Sequence, residues 1–285
     1  RGGKGMFTEG GIRVPMIARL PGVVPAGQVT DTLVHAVDFY PTFADIGEAA
    51  IPGGHSLDGE SFWSVLQNPI NTIRFRSPVF YHFPGYLDDR ASPSTAMISE
   101  APDGDHYKLF YDYEDGAYAL FNLTVDIGES NNLLDTEEEF AIYSPIGEGM
   151  SQQMIGWLNA TVDNPSNDYA SVKLTGQLVE PPEPIEPPPP PLPSPNIVMM
   201  YVDDLGWTDL SGGNPNEGNG SDFYETPSMD SLADQGLSFT SCYMQPNCSP
   251  SRAALLSGQY APRAGNGVYA VNNLNRGNGS PPLVG

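Results

Sequence analysis

Asn196-Ile197-Val198-Met199-Met200-Tyr201-Val202-Asp203-Asp204-Leu205-Gly206-Trp207 is the stretch that assigns the fold class. Residues 197–202 are apolar without a break and too few for an ordinary helix. That pattern predicts a strand buried on both faces, the kind found in parallel sheets of α/β proteins. Ligands in such sheets gather at the carboxyl ends of the strands, and two adjacent carboxylates stand at this one. Asp203 and Asp204 repel each other unless a cation lies between them. A hard divalent ion with oxygen ligands, Ca²⁺ or Mg²⁺, is one solution, and a solvated turn is the other.

Working outward toward the carboxyl end, Thr226 and Pro227 open a short helix that Gly236 ends, with Met229, Leu232 and Ala233 turned to the core. Residues 237–243 read as the next strand. They deliver the chain to Cys248-Ser249-Pro250-Ser251-Arg252-Ala253-Ala254-Leu255-Leu256-Ser257-Gly258, where Ser and Pro favour a helix start and Ala and Leu propagate it. A potential nucleophile therefore sits at a helix N-terminus. Free N–H groups and the positive end of the dipole point toward Cys248, and Arg252 adds a full cation one turn along. The plain alternative is a buried cysteine before an ordinary helix.

Toward the amino end, residues 180–195 are almost entirely Pro and Glu, which predicts a stiff polyproline linker. Before it, short aromatic runs at 79–83, 96–98, 107–111 and 119–123 alternate with turn sequences such as Asp103-Gly104-Asp105 and Glu114-Asp115-Gly116. Four strands of a small antiparallel sheet follow from that, with a helix over 142–158 that places Met150, Met154 and Leu158 on one face. The Met spacing reads as core packing. Asp38 caps a helix through Ile46, residues 61–66 form another, and 14–20 are a strand preceded by a Gly-rich loop that carries Lys4. His35 and His55 are isolated and read as structural. His82 reads as packed against its aromatic neighbours.

With 35 acidic and 12 basic residues and a formal charge of -23, the chain is a poor partner for nucleic acid or an anionic membrane. Its few cations must act locally, which singles out Lys4 and Arg252. Two cysteines, Cys242 and Cys248, imply no disulfide framework, and a bridge between them would block the nucleophile. No apolar run is long enough to span a membrane, and no signal peptide is visible.

The 248–258 stretch resembles the signature of the type I, formylglycine-dependent sulfatases of the alkaline phosphatase superfamily: Cys-x-Pro-Ser-Arg, four residues, then Thr-Gly, with Ser257 where Thr is commoner. Lys4 and the segment Glu9-Gly10-Gly11-Ile12-Arg13-Val14-Pro15 are similar to the family's Gly-Lys-Gly and Glu-Gly-Gly-Ile-Arg-Val-Pro elements. Residues 203–204 resemble its first metal-ligand pair, 126–133 resemble part of its C-terminal subdomain, and Arg263 follows as in the family. The resemblance implies an α/β fold, sulfatase-like, with a mixed sheet and a small antiparallel subdomain. It implies hydrolysis of a sulfate ester of a sulfated carbohydrate, with a Ca²⁺ site, favoured over Mg²⁺, on Asp203, Asp204 and Cys248; the alternatives are an inactive fragment or non-catalytic binding protein on the same scaffold and a related phosphoesterase of the superfamily. Cys248 would be oxidised by a formylglycine-generating or equivalent maturation enzyme to an aldehyde (3-oxoalanine). One hydroxyl of its hydrate attacks sulfur and the other expels sulfate, while Lys4 and Arg252 contact the substrate. A periplasmic or secreted location is implied as well.

The family's parts run in inverted order: 1–77 resembles the C-terminal portion of the catalytic domain, 78–175 its small subdomain, 176–195 is linker, and 196–285 resembles the N-terminal portion. No positions match the Asp-Asn pair, the Lys-His pair and the further His of the family's catalytic middle. A junction of tandem modules, a circular permutant or an assembly artefact each gives such an order. If the two portions fold together, Lys4 and Cys248 converge in one cleft, and the strand at 14–20 shares a sheet with 197–202.

Overall fold

The computed structural model describes residues 2–70, 72, 78–83, 92–101, 104–161, 196–211 and 220–261. The linker at 176–195, Asp103 and Arg263 lie outside the described residues. In chain order, α1 (Glu9–Ile12) leads into β1 (Arg13–Ala18), followed by β2 (Gln28–Thr30), β3 (Val34–His35), α2 (Phe39–Ile46) and α3 (Trp63–Gln67). Next come β4 (Val79–Phe83), β5 (Ser94–Glu100), β6 (His106–Asp112), β7 (Ala117–Asn122) and α4 (Glu137–Thr161). The last described portion holds α5 (Pro227–Asp234), β8 (Leu237–Tyr243) and α6 (Cys248–Ser257).

A mixed sheet is built around β8. β1 pairs antiparallel along one edge of it, while β2 and β3 pair parallel along the other, one after the next. The β1 ladder shifts register between Val14 and Met16, at Pro15, which has no N–H to donate. All seven residues of β8 are buried, and Phe239 packs edge-on against Phe62 at 5.6 Å. The face of α2 carrying Phe39, Phe43 and Ile46 covers the same core, with α3. Asp38 does not cap α2 with its side chain, as its place in the sequence suggests. Its carboxylate accepts instead from the N–H groups of His35 and Glu60, both at 2.9 Å, and so pins the turn before the helix.

The second sheet is the expected antiparallel meander, in the order β4-β5-β6-β7. Both of its faces are covered. Phe80, Met97, Leu109 and Leu120 pack under Met150 and Met154 of α4, while Tyr81, Ala96, Ile98 and Phe121 pack against Phe7, Ile12 and Tyr243. Three acidic residues, Glu137, Glu138 and Glu139, occupy the first turn of α4, where they complement its dipole. Tyr260 ties the last segment to this sheet: its ring lies 5.4 Å from that of Trp157, and its hydroxyl accepts from the Phe80 N–H.

One expectation fails. Residues 196–202 form no strand and join no ladder, so 14–20 does not share a sheet with them. Val198 is 87% exposed and Met200 66%. A strand buried on both faces requires neighbours for its N–H and C=O groups. The β8-centred sheet is assembled without this segment, and residues 13–20 and 196–206 line one cavity instead of pairing.

Candidate active site

Cys248 is the first residue of α6. β8 ends at Tyr243, the Met244 N–H donates to the Ile12 carbonyl at 2.9 Å, and the chain turns through Pro246 to an extended Asn247. The turn is held from inside the helix: the Ser251 hydroxyl lies 2.7 Å from both the Gln245 and Asn247 carbonyls. Asn247 makes no side-chain cap, so the N–H groups of Cys248 and Ser249 receive no acceptor from its side chain. At the other end Gly258 closes the helix with φ 68°, and a Cβ there would stand 2.8 Å from Leu57 and 3.0 Å from Tyr40.

The Lys4 loop docks on the same turn. Its Gly5 N–H donates to the Pro246 carbonyl at 2.9 Å, with Gly5 at φ 93°. The Lys4 ammonium pairs with Asp204, 2.6 Å from Oδ1 and 2.8 Å from Oδ2. That hydrogen bond raises the Lys4 pKa against partial desolvation, and the fields of Asp204, Cys248 and Asp203 add to it. Lys4, Asp203, Asp204, Cys248, Ser251 and Tyr201 line one cavity of about 560 Å³ whose floor is apolar. Lys4 and Cys248 thus converge across nearly the whole sequence.

Arg252 is placed differently. It is exposed, outside the set of residues lining that cavity, with its guanidinium 5.7 Å from the centre of the Tyr201 ring. Tyr201, which the sequence reading passed over as strand filler, hydrogen-bonds Ser251, and burial raises its pKa. Cys242 is fully buried, its thiol pKa driven up by desolvation, and both cysteines are free. No described histidine is among the residues lining that cavity. His35 is buried with Nδ1 accepting from the Val37 N–H, His55 Nε2 lies 2.7 Å from the Ser257 carbonyl, and His82 packs beside Tyr113 with Nδ1 2.8 Å from the Thr95 hydroxyl.

A Ca²⁺ ion takes roughly six to eight oxygen ligands and Mg²⁺ six. Among the described residues no three His, Cys, Asp or Glu side chains gather as a ligand set, and both oxygens of Asp204 face Lys4. Asp203, Asp204 and Cys248 as described do not by themselves fit either ion.

Two family profiles match. One, described as N-sulphoglucosamine sulphohydrolase, C-terminal, covers residues 3–155, and the other, Sulfatase, covers 195–282, so the C-terminal profile comes first along the chain. A sulfatase of Formosa agariphila is 44% identical over 134 residues, 46% of this chain and 24% of its own length. The N-acetylgalactosamine-6-sulfatase of Mus musculus is 47% identical over 79 residues, 27% of this chain and 14% of its own length. A solved structure of a protein with its substrate D-glucosamine-2-N,6-O-disulfate overlaps 53% of this chain and 29% of that one, at 22% identity and a TM-score of 0.41. The chain spans about a quarter or less of the length of these curated relatives. With one sulfatase profile covering more than half of its residues and a second running through the Cys248 helix, the chain belongs to the sulfatase family.

Proposed function

We propose that this chain carries the nucleophile and a sulfate-contacting lysine of a sulfuric ester hydrolase acting on sulfated carbohydrates. The observation that supports it most is that Lys4 and Cys248 share one cavity although the sequence sets them far apart. The Lys4 ammonium offsets the charge of an anionic ester in a protein whose overall field is unfavourable, and the first-turn N–H groups of α6 offer donors to a developing oxyanion. Ser251 holds the carbonyls that precede Cys248 and keeps the nucleophile at the helix mouth. A formylglycine made from Cys248 by a maturation enzyme would supply a geminal diol as the attacking group. Sugar sulfates are the favoured class because one relative is named for N-acetylgalactosamine-6-sulfate. No described helix is long and apolar enough to cross a membrane, and a periplasmic or secreted site of action is part of the proposal.

The mass of the peptide containing position 248, from natively expressed protein, tests the nucleophile. An aldehyde or its hydrate is expected there, and sulfate release from an aryl sulfate should vanish in Cys248→Ala. Unmodified cysteine together with undiminished turnover in the variant would overturn the assignment. A second reading, a non-catalytic binder on a sulfatase scaffold, is favoured by the lack of a three-residue ligand set among the described residues. Sulfate release by this chain, lost in Cys248→Ala, eliminates it.

A further inference from the structure

Behind the cleft lies a cluster of charges that the proposed chemistry does not use. Glu9, Arg13, Lys108, Glu129 and Tyr243 are each at most 6% exposed. The Lys108 ammonium lies 2.7 Å from Glu129 Oε1 and 3.2 Å from Glu9 Oε1. The other Glu9 oxygen accepts from the Tyr243 hydroxyl at 3.0 Å and from Arg13 Nη1 at 3.3 Å. Glu129 Oε2 accepts from the Glu9 N–H at 2.9 Å. Two carboxylates and two cations balance, so the cluster is neutral as a whole and ruinous if one member is lost.

Its members border three of the segments that line the cleft. Glu9 opens α1, directly after the loop that bears Lys4. The Arg13 guanidinium stacks 4.5 Å from the centre of the Trp207 ring, and Trp207 opens the next turn, three residues after Asp204. Tyr243 closes β8 just ahead of the approach to Cys248. Lys108 and Glu129 come from the other sheet and its trailing loop, and both bond to Glu9. Were the cluster needed only to fill the core, apolar residues of similar volume would serve as well or better.

We infer that Lys108 is a positioning residue for the cleft: with Glu129 it fixes Glu9, and through Glu9 it sets the Lys4 loop, the Asp203-Asp204 turn and the Cys248 approach relative to one another. The antiparallel sheet is on this account a jig for the cleft as well as a neighbour to it. The inference rests on the proposed function only in calling the cleft a sulfate-ester site.

Amide hydrogen exchange followed by mass spectrometry of the full chain tests it without turnover, so a failure to hydrolyse sulfate esters and a failure of this inference are read separately. Lys108→Met alone leaves two buried carboxylates short of a cation and is expected to unfold. The informative variant is Lys108→Met combined with Glu129→Gln, which removes one charge of each sign and leaves Glu9 with Arg13 and Tyr243. Exchange should then accelerate about tenfold in peptides covering 2–12 and 203–209, with α2 and α4 unchanged. Lys108→Arg, which keeps the cation, should retain slow exchange in both peptides. Equal acceleration everywhere, failure of the charge-balanced variant to fold, or unchanged exchange in 2–12 would each overturn the inference.

Discussion

Residues 196–202 and β8 lie in the same portion of the chain and are of equal length, and the first is the more apolar of the two, since β8 contains Ser238, Thr240 and Ser241. Yet β8 is buried throughout, and 196–202 leaves Ile197, Val198, Met200 and Val202 exposed. Hydrophobic patterning reports a demand for burial, and backbone partners decide whether it is met. β8 has β1 along one edge and β2 and β3 along the other, whereas 196–202 has no ladder among the described residues. Its Thr240 hydroxyl donates to the Thr30 carbonyl at 3.3 Å, so even a polar side chain of β8 finds use inside.

The contrast breaks most plainly on a pair of truncations. Phe239→Ala removes a fully buried ring packed on Phe62 and should cost about 3–5 kcal/mol in urea unfolding. Val198→Ser, at an 87% exposed site, should stay within about 0.5 kcal/mol. Comparable losses at the two sites would mean that 196–202 is packed after all.

A titration sharpens the same division between inside and outside. Burial lowers the His82 pKa to about 4 from an ordinary 6.5. The unfolded chain takes up a proton near pH 6.5 that the folded chain refuses until about pH 4, so stability is full above that window and declines as pH falls through it. At pH 5 the loss due to His82 amounts to about 2 kcal/mol, and His82→Gln should lack it when urea midpoints at pH 7.5 and 5 are compared. The decline that persists in the variant includes His106, whose pKa is also lowered chiefly by burial. A variant that declines as steeply as the parent would place the proton uptake elsewhere.

The smallest effect belongs to the outside. Lys4 and Asp204 are 45% and 59% exposed, and Asp204→Asn should change stability by less than about 1 kcal/mol, with the difference shrinking as salt is added. A larger loss that ignores salt would show the turn to be a structural part of the core.

Much of the molecule can be read directly from residue types. The apolar and small polar residues of 237–243 read as a strand, and the strand has those bounds; Pro250 and Gly258 bracket α6 as start and stop signals do. Convergence of Lys4 on Cys248 followed from the family resemblance and from the need for a local cation. Lys108 was not legible. In a strand reading Tyr-Lys-Leu-Phe-Tyr a lysine is assigned to water, and only the covering of both faces of the second sheet turns it inward to Glu9 and Glu129. The same holds for 196–202, whose sequence states what it would bury and is silent on which strands stand beside it.

The position of β8 between β1 and the β2–β3 edge also sets an order of events. Arg13 and Thr240, joined by a hydrogen bond from Nε to the carbonyl, are 227 residues apart, whereas β6 and β7 meet across the short turn after Asp112. Closing the longer loop costs about 3 kcal/mol more in chain entropy. On a ribosome the meander β4 to β7 is complete before the central strand of the other sheet has been made, and β1, β2 and β3 can pair with β8 only after that. The sheet that leads to Cys248 is therefore completed after the meander, against a frame already in place.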